Sequence, residues 1–212
     1  MRLARRGENG DTIVEVLFAV AVFAMVAVGS MSIMNQGTAA AERSLEVTLV
    51  RQQIDAQAEA IRYIHEAYVA AFQNNGSAPT GTAAEWVKMT DKTTGKGADG
   101  ASNFGQTAGA LCPTTVPGQR PFVLNARTAT VSGATPVMSA PPGSSMPPFP
   151  QIIYNSDSSI KQAYGIWVEA VPSSTVTNGP GFVDFHIRAC WDSPGSSAPV
   201  TLGTIVRLYE PR

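Results

Sequence analysis

Between Val16 and Met34 the chain carries no charged side chain and no side-chain amide, and this run constrains the fold more than any other feature. Nineteen such residues in a helix rise roughly 28 Å, close to the roughly 30 Å of a bilayer hydrocarbon core. A segment of this kind is buried in lipid or against other apolar chain. It does not start as a plain anchor would, because Asp11 and Glu15 stand at its beginning. A carboxylate in hydrocarbon is costly unless it finds a partner, which makes an intramembrane acid a functional candidate. Arg2, Arg5 and Arg6 precede the run with only Glu8 opposing them. That bias predicts a cytoplasmic N-terminus, with the rest of the chain across the membrane.

Five regions follow from the pattern. Residues 1–10, "MRLARRGENG", form a basic leader ending in glycine. Residues 11–37 read as a transmembrane helix, and residues 38–76 as its amphipathic second half. Val47, Val50, Ile54, Ala58, Ile61, Ile64, Tyr68 and Phe72 recur in steps of three and four, which puts them on one face. Gln73, Asn74, Asn75 and Gly76 end the pattern with polar and helix-terminating residues. Prolines are missing throughout 11–72, and Gly29 and Gly37 are the places where the helix could bend. A helix this long cannot be covered by the rest of the chain, so its first half must be buried in lipid or in other subunits.

Residues 77–150 turn to Gly, Pro, Ala, Ser and Thr; "DKTTGKGADG" and "SAPPGSSMPPFP" are loop material, and "RPFVLNA" is a candidate strand. Residues 151–212 hold β-rich runs at 163–171, 181–191 and 201–210, separated by turn clusters. In the middle run Val183, Phe185, Ile187, Ala189 and Trp191 alternate with Asp184, His186 and Arg188. That is the pattern of an antiparallel sheet with one buried side. The expected fold class is α+β, a long N-terminal helix with a transmembrane first half packed on a C-terminal antiparallel sheet. Cys112 and Cys190 fall on the far side of the membrane, where a disulfide can persist. Sequence leaves open whether they pair or stand as two separate thiols.

The residues "G-DTIVEVLFAVAVFAMVAVGSM" resemble the N-terminus of type IV pilins and pseudopilins. Members of that family have a basic leader ending in glycine, cleaved on the cytoplasmic side by an aspartyl prepilin peptidase, and a glutamate at the fifth mature position. The resemblance, which covers about residues 1–40, makes Gly10 the last leader residue, Asp11 the first mature residue and Glu15 the fifth. It implies a pilin-like fold and a structural role, a building block of a pilus or of a secretion or competence pseudopilus. The partners it implies are prepilin peptidase, other pilin subunits, the assembly platform, and membrane lipid before assembly. In such filaments the glutamate meets the N-terminal amine of a neighbouring subunit, so Glu15 is the expected assembly residue. Asp11 departs from the apolar first residue common in the family, which leaves methylation of its amine open. The loop-rich head and Asp11 tilt the reading toward a minor subunit.

Other classes are weighed against this. The formal net charge of −1 provides no basic field for nucleic acid. Asp184, His186 and a serine could be drawn as a triad, but no nucleophile elbow frames them, and the chain is read as no enzyme. Two cysteines without further ligand spacing make no zinc site, and the glycine loop at 91–100 lacks the calcium and phosphate-loop patterns. No cofactor is expected. One alternative is a single-pass anchored surface binding protein that never polymerises. Another is a secreted enzyme released at Ala39-Ala40-Ala41, a signal-peptidase-like site.

Overall fold

Helix α1 runs without a break from Asp11 to Asn75, 65 residues. No proline interrupts it, and neither Gly29 nor Gly37 breaks it. The computed structural model describes residues 11–75, 79–90, 112, 121–132, 136–137, 147–172, 181–193 and 198–211. The chain divides into two units, Met1–Arg43 and Ser44–Arg212, and α1 contributes to both.

In the first unit the described apolar side chains meet solvent. Ile13 is 69% exposed, Phe18 71%, Phe23 74% and Ile33 72%. A helix that is apolar all round and covered by none of the described residues has its natural surroundings elsewhere. Among the described residues, α1 is the one helix long and apolar enough to cross a membrane.

The second unit is α+β. Short helix α2, Thr82–Thr90, follows α1. Strands β1, Leu124–Asn125, and β2, Thr130–Val131, form an antiparallel hairpin. Strands β3, Pro136–Val137, β4, Gln151–Tyr154, and β5, Ile160–Tyr164, make a sheet ordered β3-β5-β4. Its β3–β5 pair is parallel and its β4–β5 pair antiparallel. Strands β6, Ile166–Pro172, β7, Phe182–Trp191, and β8, Val200–Tyr209, make an antiparallel sheet ordered β6-β7-β8.

The core forms where the two sequence patterns meet. On α1, Val50, Ile61 and Ile64 are fully buried and Ile54 and Ala58 nearly so. Val183, Phe185, Ile187, Ala189 and Trp191 of β7 are 5% exposed or less and join the same cluster. Phe72 is the exception on the helix stripe, at 43% exposure. Trp86 of α2 packs against this layer, with ring centroids 4.8 Å from His65, 5.7 Å from Tyr68 and 5.5 Å from Phe185.

Two sequence expectations need correction. The run 163–171 is not one strand: Gly165 divides it between β5 and β6, which belong to different sheets. Gly165 has φ +60°, its N–H donates to the Val137 carbonyl and its own carbonyl accepts from Cys190 N–H. A Cβ there would lie 2.8 Å from the Cys190 carbonyl oxygen, so only glycine fits. The segment after residue 77 also contains more than loops. In α2, Glu85 accepts from Val131 N–H at 2.8 Å and so ties the helix to β2.

Candidate functional site

The N-terminal candidates lie at the start of α1. Gly10 and the side chain of Asp11 fall outside the described residues; Asp11 is the first helical position. Glu15 is exposed one turn further on, with exposed Ile13, Val14, Val16, Leu17 and Phe18 around it. A single carboxylate on an apolar, uncovered helix is costly in lipid and available to a cation brought by another molecule.

Within the second unit the strands are fastened to α1 by two buried polar contacts, at Glu46 and Gln57, and by an exposed one at His65. Glu46 is 6% exposed; its Oε2 accepts from Trp191 Nε1–H at 3.0 Å and from Ser193 Oγ–H at 2.6 Å. Gln57, fully buried, donates to the Leu124 carbonyl at 2.7 Å and accepts from Leu124 N–H at 2.8 Å. His65 Nε2 lies 2.8 Å from the Tyr209 carbonyl. Glu46 is a charged residue next to the apolar position Val47. It belongs to a stripe stepping 46, 50, 54, 57, 61, 64, a spacing that could have placed it inward.

Cys112 and Cys190 are joined as a disulfide with Cα atoms 5.7 Å apart, closing a separation of 78 residues. Cys190 lies in β7 with its side chain on the face away from the α1 core, where it packs with buried Trp167. On that face Glu169 stands opposite His186 in register, and Arg188 approaches Glu169 to 3.7 Å. Burial pushes the Glu169 carboxyl above its ordinary value, opposed by the Arg188 guanidinium. Burial and then Arg188 push His186 below its usual range, with Asp184 opposing.

Asp184 is occupied by Arg207. The guanidinium donates from Nε and Nη2 to the two carboxylate oxygens, both at 2.7 Å, and holds Asp184 below the usual carboxylate range. That fork takes up the acid a His186-centred relay would need. Among the described residues no three His, Cys, Asp or Glu side chains are grouped to hold a metal ion.

Sequence reasoning singled out nothing at the flank of α1, where Ala56, Ala60 and Tyr63 face the turn between β1 and β2 across an open groove of about 520 Å³. Arg127 of that turn lies 4.0 Å above the Tyr154 ring centroid. No family model, curated protein or solved structure matches this chain.

Proposed function

We propose that this protein is a structural subunit, of the minor pilin or pseudopilin kind, of a type IV pilus-like filament. Prepilin peptidase cleaves it after Gly10, its α1 rests in the cytoplasmic membrane with the head outside, and the assembly platform then packs α1 among other pilin subunits. One observation carries this reading. A single helix is core in its second half, while its first half is apolar, exposed, and carries a carboxylate at Glu15 where the uncharged run begins. A helix with that division has a use for two successive apolar surroundings, lipid and then neighbouring helices. Glu15 gives the second a register: cleavage frees an α-amino group at Asp11, and a carboxylate buried beside such a cation is no longer unpaired.

The mature N-terminus tests this. Intact-mass and peptide mass spectrometry on membranes and on sheared surface material should find a chain that starts at Asp11. The Glu15→Leu variant should be inserted and processed yet give less sheared filament. A mature chain starting at Glu42 would overturn the reading in favour of a released head. Unchanged surface function in Glu15→Leu, with no filament in either protein, would favour the anchored binding protein.

A further inference from the structure

The exposed side of α1 in the second unit has a groove and a ridge on one line. Leu45, Ala56 and Tyr63 are separated by near-whole numbers of turns at about 3.6 residues per turn, so they share an azimuth on the flank of the helix, beside the core stripe. Leu45 is 63% exposed and Tyr63 58%, while Ala56 and Ala60 between them are small and form the groove floor. The far wall is the β1–β2 turn with Arg127 and Ala129. Arg127 is held in place by the Tyr154 ring, and among the described residues no carboxylate pairs with it. Glu42 is exposed one turn before Leu45 and, among the described residues, likewise makes no ion pair.

We propose that this groove receives the Leu45 ridge of a second copy of this chain. The copy lies parallel and is shifted along the helix axis by roughly 16–22 Å, the rise from Leu45 to Ala56 and Ala60. The parallel orientation rests on the filament reading above. In this arrangement Leu45 sits on the alanine floor, beside the rim that Glu59 and Thr82 also line, and Glu42 of the ridge comes to Arg127 of the wall. The two surfaces differ, so each copy offers a free ridge or a free groove to the next. Such a heterologous contact extends rather than closes. The charge pair fixes which part of the ridge faces the wall, the role rim charges commonly play in an interface.

Disulfide trapping in the full chain tests the contact. Both native cysteines are already bonded to each other, so an introduced thiol has no native thiol to capture. A Leu45→Cys copy and an Ala56→Cys copy, expressed together and oxidised in membranes and in sheared filaments, should give a cross-linked dimer that neither gives alone. Arg127→Glu in the Ala56→Cys copy should lower its yield by about fivefold, the effect of one partly exposed ion pair. Glu42→Arg in the Leu45→Cys copy should then restore it. A mixed sample no richer in dimer than the single samples overturns the docking, whether or not filaments form. Filaments that depend on Glu15 without the mixed dimer would leave the filament reading standing and remove this contact alone. A mixed dimer in membranes without any filament would do the reverse.

Discussion

Trp191 donates its indole N–H to the carboxylate of Glu46 across 145 residues of sequence, at 3.0 Å, and Ser193 donates to the same oxygen at 2.6 Å. Glu46 thus fastens the end of β7 to α1 at a depth where water does not compete. Replacing Glu46 by Leu removes the acceptor and leaves two buried donors unpaired, an expected loss of about 2–4 kcal/mol. Glu46→Gln keeps an acceptor and should lose roughly half as much. Urea unfolding of the purified full chain in detergent, followed by tryptophan emission, separates the two. Equal losses in both variants would mean that the charge matters and the hydrogen bonds do not.

The disulfide should contribute by restricting the unfolded chain. Closing 78 residues between Cys112 and Cys190 corresponds to about 4.5 kcal/mol in the chain-entropy account. Reduction, or the Cys112→Ala variant, should therefore lower the urea midpoint by a large fraction of its value while leaving the helical signal in the folded baseline intact. Trp167 packs against Cys190 and reports the same event locally. Its emission should change on reduction before global unfolding begins. A midpoint that does not move would show that the bridge is not formed in the protein as purified.

The helix stripe and the β7 alternation were legible because burial on one side imposes a period, near 3.6 residues on α1 and two on β7. Val50, Ile61, Phe185 and Ile187 answer to those periods and are fully buried. Glu46 obeyed the helical period as well, but a charged side chain reads as solvent-facing until its donors are known, and these come from residues 191 and 193. The division at Gly165 was hidden because apolar residues flank the glycine on both sides; the bend is imposed by the Val137 and Cys190 backbones, which belong to other strands. Helix α2 was masked by the Gly, Pro and Thr around it, although Ala83, Trp86 and Met89 repeat at helical spacing and are buried. Of the candidate sites, Glu15 stood out as one charge in an apolar run, and Arg127 did not, since its groove partners are contributed by a helix 67 residues earlier at the Gln57–Leu124 clamp.

Gly165 and Gly81 provide a controlled comparison. Both have positive φ, +60° and +59°, so alanine at either position bears the same backbone strain, about 1–2 kcal/mol. Around Gly81 none of the described residues lies within 4 Å of an added Cβ, whereas at Gly165 it would meet the Cys190 carbonyl oxygen at 2.8 Å. Gly81→Ala should therefore lose little beyond the strain. Gly165→Ala should lose clearly more, because β5 and β6 must separate from β7 to admit the methyl group. Thermal unfolding of the two variants checks the order, and Gly81→Ala being the worse would sink the steric account.

His186 should make the head less stable in mild acid. Burial and the neighbouring Arg188 guanidinium hold its folded value below 6.5, and Asp184 opposes them only in part. The unfolded chain then binds a proton that the folded chain resists, so stability is fully present above the unfolded value of about 6.5 and is lost as pH falls through the folded one. Glu169, opposite His186 in register, runs the other way. Its raised value means that its contribution is greatest below about 4.5 and declines as pH rises. The two therefore pull in opposite directions, and His186→Gln isolates the Glu169 term. Urea midpoints at pH 7.5 and 5.5 should fall with acid more steeply in the natural chain than in His186→Gln. Parallel midpoints in both proteins would show that His186 titrates as an open imidazole does, with no burial against Arg188.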